Sequence, residues 1–110
     1  MRRVVVESPY AGDLERNASY LDACLADCFR RGESPYASHA IGPRALEDAV
    51  PEQRRRGINA GFAWADVADV VVFYVDLGWS SGMKAALLKH QVDGRTVEQR
   101  RITGWSAEPT

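Results

Sequence analysis

No apolar run in this chain approaches the ~20 residues needed to cross a bilayer as a helix, which leaves no membrane span to expect. Neither sign of charge is in excess. Fourteen Lys and Arg stand against 15 Asp and Glu, a formal net charge of −1, so no global field draws the chain to nucleic acid or acidic lipid. The opening Met1-Arg2-Arg3-Val4-Val5-Val6 is basic and then apolar, but its apolar part is far too short for a signal-peptide core, and the expected location is the cytoplasm. Cysteine is scarce: Cys24 and Cys28 lie four apart in a helical pattern, where a disulfide would fix nothing distant and a metal would lack further ligands. Both read as small buried hydrophobes, which fits a reducing compartment. There is no GxGxxG, no GxxxxGK(S/T) and no GxSxG, so the dinucleotide, P-loop and nucleophile-elbow fingerprints are missing. Repeats and low-complexity tracts are absent too.

What is present is one domain's worth of core, with 45% hydrophobic and 26% charged residues over 110 positions. The β-branched run Val4-Val5-Val6 within 2–7 predicts a first strand, closed by the turn-rich Ser8-Pro9-Tyr10-Ala11-Gly12-Asp13. Leu14, Ala18, Leu21, Leu25 and Cys28 recur at spacings of four and three, one face of a helix over 14–31, with Asp13 as its N-cap and Gly32 as its stop. A short second strand is expected over 34–40, then a short helix over 44–50. A further helix opens on Pro51 and runs to about 66, with Ile58, Phe62 and Ala65 inward. Gly57 and Gly61, one turn apart, weaken that helix and let it approach the sheet or a ligand closely. The unalternating run over 69–75 predicts a central strand buried on both faces. A helix over 80–90 follows, with Met83, Leu87 and Leu88 inward, and then a polar edge strand over 96–103. The expected domain spans 1–104. Residues 105–110 form a loose C-terminal tail in this reading, with Trp105 available to fold back as a cover.

This alternation predicts an α/β fold, a flavodoxin-like three-layer sandwich around a four-stranded, mainly parallel sheet in the order 2-1-3-4. In such sheets the ligand crevice lies beyond the carboxyl ends of the strands where the strand order reverses, here between strands one and three. Two loops are therefore expected to converge, 8–13 and 76–83, with Ser38-His39 at the border. Gly78 suits a tight turn. Ser80, Ser81 and Gly82 stand at a helix start, where unpaired N–H groups favour an anion; Ser80 equally serves as a helix cap. Asp76 either accepts hydrogen bonds from sugar or base or caps a turn. Tyr10 and Trp79 either stack on a ring or cover the sheet end, and Met83 closes the loop that carries Trp79. His39 is an acid–base candidate or a packed residue. Arg54-Arg55-Arg56 reads as a solvated face, with no aromatic interleaving to suggest nucleic acid.

At these loops the sequence resembles the nucleoside 2-deoxyribosyltransferase-like superfamily, and within it the small, uncharacterised deoxyribosyltransferase-like proteins frequent in phages. The resemblance rests on V-V-V-E-S-P-Y at 4–10, S-H at 38–39, P-E-Q-R-R-R-G-I at 51–58, A-W-A-D-V-A-D-V-V-V at 63–72 and D-L-G-W-S-S-G-M at 76–83. It covers most of residues 3–90. It implies a flavodoxin-like sheet, a nucleoside or nucleotide ligand, no cofactor or metal, and homodimers or higher oligomers with sites near subunit contacts. Characterised members cleave or exchange an N-glycosidic bond through an oxocarbenium-like transition state, which a carboxylate beside the anomeric carbon stabilises. Here the family's glutamate position holds Ser80, and a second family acid falls at Gly61. Tyr10 matches the family's aromatic after strand one, and Asp76 matches an acid after strand three. Glu7 and Asp13 are the replacement carboxylates, with Asp76 beside them. The expected binding set is Ser8, Pro9, Tyr10, His39, Gly78, Trp79, Ser80, Ser81, Gly82 and Met83. The resemblance thus implies an N-glycosidase or deoxyribosyltransferase. The alternatives are a non-catalytic nucleotide binder, a sensor or sponge for a signalling nucleotide, and a protein-interaction module with a vestigial pocket.

Overall fold

A computed structural model describes residues 1–102, 104 and 105. Its elements are β1 (Arg3–Glu7), α1 (Leu14–Arg30), β2 (Ser34–Tyr36), α2 (Ser38–Ala45), α3 (Pro51–Ala65), β3 (Val70–Tyr74), α4 (Ser81–Val92) and β4 (Val97–Arg100). All strand pairings are parallel and the order is β2-β1-β3-β4, so the strand order reverses between β1 and β3 as expected.

The valine runs build the sheet because β-branched residues suit a pleat covered on both sides. Val4, Val6, Val70, Val72 and Tyr74 face one core, shared with Tyr20, Leu21, Cys24 and Cys28 of α1. Val5, Val71 and Phe73 face the other, shared with Ala65 of α3 and Met83 of α4. Side chains alternate along a strand, so Glu7 follows Val5 onto the α3–α4 side, and its register partner is Phe73. Both cysteines are buried and unpaired, and burial pushes both thiols up from their ordinary pKa.

Several boundaries differ from the sequence reading. The second strand is only Ser34–Tyr36, because the chain turns at Ala37 and enters α2 at Ser38; the helix expected over 44–50 is displaced to 38–45, with Pro43 inside it. Gly42 and Gly57 meet where α2 crosses α3, the second glycine's Cα lying 4.0 Å from a Cβ built on the first. A Cβ built on Gly61 would stand 3.2 Å from Ser38 Cβ, so the close approach these glycines permit is to α2. β4 ends at Arg100 because the next backbone leaves the ladder: Ile102 N–H donates to Asp76, 3.0 Å to Oδ1. Leu88 is exposed, and the inner position one heptad after Met83 belongs to His90. Ile58 is also exposed.

Trp105 packs edge-on against Tyr20 at 4.7 Å, the cover expected of it. Residues 106–110 of the expected tail, and Thr103 at the end of the expected last strand, lie outside the described residues. Among the described residues no helix is long and apolar enough to cross a membrane.

Candidate functional site

A cleft of about 580 Å³ opens beyond the carboxyl end of β1, between the sheet and a wall made by α2, α3 and one face of α4. Its floor starts where β1 runs out. Val5 and Glu7 point into it, Ser8 follows, and the turn carries Tyr10 to the rim. Ser38 and His39 enter from the start of α2, and Ser80, Ser81, Gly82 and Met83 from the start of α4.

The Glu7 side chain is 13% exposed, and its single ionic neighbour among the described residues is His90, whose Nε2 lies 3.4 Å from Oε2. No Lys or Arg pairs with it among those residues. Ser8 is 1% exposed, and its Oγ has no hydrogen-bond partner among the described residues. Tyr10 and His39, both lining the cleft, are stacked, ring centroids 5.0 Å apart and planes 15° from parallel. Burial holds the His39 imidazole below its ordinary pKa, with the charges of Glu7 and Asp48 pulling the other way, so the ring is neutral at pH 7. Ser80 Oγ accepts the Met83 N–H at 3.2 Å and so caps α4; the hydroxyl is used within the helix, while the first-turn amides keep their outward direction. Opposite, Arg54 of α3 borders the cleft, and Lys89 of α4 is tied to Asp93 at 3.0 Å.

Of the residues expected at a site, Glu7, Ser8, Tyr10, His39, Ser80, Ser81, Gly82 and Met83 line this one cleft. Asp13, Asp76, Pro9, Gly78 and Trp79 do not. Asp13 caps α1, accepting the Arg16 N–H at 3.0 Å. Asp76 accepts from the Tyr20 hydroxyl of α1 and from Ile102 N–H, bonds that reach across the fold and lie outside its own turn. Gly78, at φ +84°, closes a tight turn whose N–H bonds Val75 O at 2.9 Å. Leu77 of that turn packs into the α1-side core, and Trp79 stacks on Phe73 at 5.0 Å. The loop after β3 therefore bends toward α1 and regains the cleft only at Ser80. The expected convergence of two loops is replaced by one loop facing a helical wall.

The sequence reading missed that wall. His90 is buried at 1% exposure on α4, and Arg54 belongs to the run read as solvated. The seven-residue step from Met83 to His90 placed both on one face and was the available signal. Both histidines of the chain line this single cleft. Among the described residues no group of three or more His, Cys, Asp and Glu side chains is arranged to hold a metal ion.

A family described as Domain of unknown function (DUF7768) matches residues 2–100. No curated protein matches the sequence. Among solved structures, a 2-deoxyribosyltransferase from the psychrotolerant bacterium Bacillus psychrosaccharolyticus superposes with a TM-score of 0.64 at 17% identity, covering 94% of this chain and 75% of the other. That likeness establishes a shared deoxyribosyltransferase-like fold, as the sequence resemblance implied.

Proposed function

We propose that this chain, which belongs to the DUF7768 family, binds a nucleoside or nucleotide in the cleft and cleaves or exchanges its N-glycosidic bond at Glu7. The observation that carries the reading is the carboxylate itself. Holding Glu7 largely out of water with no cationic side chain beside it costs stability, and a ligand whose anomeric carbon turns positive in the transition state supplies the missing countercharge. The two positions that hold acids in characterised transferases cannot replace it. The Ser80 hydroxyl is spent on the α4 cap, and a side chain at Gly61 would meet Ser38 at 3.2 Å.

The other groups follow from placement. The Tyr10–His39 stack offers a face to a base or sugar ring, and Ser8 Oγ lacks a partner that a sugar hydroxyl provides. The first-turn amides of α4 and the Arg54 guanidinium take a phosphate. In the reaction, a Glu7 oxygen bonds to the anomeric carbon as the C–N bond breaks, and the base leaves with the bonding pair and takes a proton from solvent. Water or a second base then displaces the carboxylate. Exposed Ile58, Trp64, Leu88 and Val92 on α3 and α4 favour self-association, which sedimentation velocity checks directly.

The test is to incubate the protein with each 2′-deoxynucleoside 5′-monophosphate and follow free base by chromatography. Wild-type protein releases base and Glu7→Gln does not. No release from any of them by the wild type would falsify catalysis. The loss of both family acids favours a second reading, a non-catalytic binder. In that case an intact nucleotide, recovered unchanged, raises the melting temperature, with about 2.7 kcal/mol of stabilisation at a hundredfold excess over Kd.

A further inference from the structure

His90 is 1% exposed, as buried as Ser8, yet it reaches the cleft. Its Nε2 is 3.4 Å from Glu7 Oε2, and its Nδ1 is 3.0 Å from Arg95 Nη1. A guanidinium carries donors only, so Nδ1 must accept, and the ring hydrogen resides on Nε2, directed at Glu7. Arg95 is itself held. Its Nε donates to Asp66 Oδ1 at 3.1 Å, its Nη2 lies 3.0 Å from Asp93 Oδ2, and its guanidinium carbon rests 5.5 Å over the Phe62 ring. The imidazole stands edge-on to Phe62 at 5.1 Å and to Phe73 at 6.1 Å, which fixes its plane.

Apolar filling would occupy this layer at less cost than a buried imidazole. The polar chain instead runs from the surface at Asp66 to one carboxylate oxygen in the cleft. We infer that His90 is a positioning residue: the Asp66–Arg95–His90 chain locks the tautomer that donates Nε2–H to Glu7 Oε2 and so aims Oε1 at the bound sugar. Oε1 has no protein partner among the described residues, so the second oxygen remains for a ligand. With the hydrogen on Nδ1 instead, a ring lone pair would face a carboxylate lone pair, and Glu7 would swing away. The inference rests on the cleft reading above, in that it assigns Glu7 a task worth positioning.

Imidazole 15N–1H correlation spectra of the full chain test it. In the wild type His90 shows an unprotonated Nδ1 and a protonated Nε2, and Glu7→Gln shifts the Nε2 resonance. Arg95→Met averages the two nitrogens, Arg95→Lys retains the locked pattern, and Asp66→Asn, at an exposed side chain that leaves the fold intact, shows partial averaging. A protonated or averaged Nδ1 in the wild type, or an unchanged pattern in Arg95→Met, overturns the inference. In the base-release assay His90→Leu lowers kcat by on the order of 10- to 100-fold with KM little changed, and His90→Gln, which keeps a donor, restores most of it. Equal loss in both variants overturns the positioning role. A locked pattern without base release from any nucleotide sinks the glycosidase reading alone and leaves the relay standing.

Discussion

Replacing Ser8 with Ala should make the free protein more stable and its ligand complex weaker. Ser8 is 1% exposed and its hydroxyl has no partner among the described residues, although it lies beside Glu7 on the cleft floor. A buried hydroxyl left unpaired costs about 1–3 kcal/mol. Alanine keeps the Cβ and removes only the oxygen, forfeiting a few dispersion contacts worth on the order of 0.5 kcal/mol. The net gain is about 1 kcal/mol. The unfolding entropy of 110 residues is about 0.23 kcal/mol/K near 60 °C, so the melting temperature rises by about 4 °C. Scanning calorimetry and urea titration of the ligand-free protein measure both quantities. In the complex the sign reverses. A hydrogen bond from Ser8 to a sugar hydroxyl is worth up to about 1.5 kcal/mol, which adds to the gain of the free variant, so Ser8→Ala weakens a bound deoxynucleotide by up to about 70-fold. A variant less stable than the wild type would show that the hydroxyl is already satisfied in the free protein, and the argument for a ligand contact would fail with it.

Arg100→Met leaves Glu33 buried without its bidentate partner, two contacts of 2.7 Å between side chains 4% and 7% exposed, and lowers stability by about 3 kcal/mol, or about 13 °C in a calorimetric scan. His39 binds its proton less readily in the fold than in the unfolded chain, chiefly because burial penalises the charged ring. Its contribution is therefore complete above the ordinary value of 6.5 and is lost as pH falls from there through the lowered folded-state value, with a slope of at most about 1.4 kcal/mol per pH unit. Subtracting the stability profile of His39→Gln from that of the wild type isolates this slope, and a flat difference below pH 6.5 would contradict it. Asp76→Asn disturbs the latch to Tyr20 and Ile102, so it lowers stability by about 1–3 kcal/mol while the dissociation constant of a deoxynucleotide stays unchanged; calorimetric titration showing lost binding with intact stability would return Asp76 to the ligand site.

The sheet was legible because its evidence is local and one-dimensional. Val4-Val5-Val6 and the run ending at Tyr74 are β-branched and unalternating, and parallel strands joined by helices admit few orders once crossovers are right-handed. The same topology pointed to the carboxyl end of β1, and Glu7, Ser8, Tyr10 and His39 do share a cleft there. Asp76 and Trp79 looked equivalent to them in sequence, since strand end and turn chemistry are alike in both loops. Only packing distinguishes the two: Tyr20 of α1, 56 residues away, draws Asp76 to the opposite face, and Phe73 takes Trp79.

The helical wall was hidden for a related reason. A glycine's spacing shows that two surfaces come close without showing which, and Gly42, Gly57 and Gly61 bring α2 against α3. His90 had a hydrophobe's position on α4, and a chain of Asp66, Arg95 and His90 draws on that helix and on the segments that follow α3 and α4. Hydrophobic pattern and turn residues by themselves determined the layers, the strand order and the end of the sheet where a ligand would lie, because each depends on neighbours a few positions apart. Which carboxylate faces the cleft, which one is latched to Tyr20 and Ile102 and which groups surround the buried imidazole were decided only by tertiary structure, since each depends on groups tens of residues away that meet across the core.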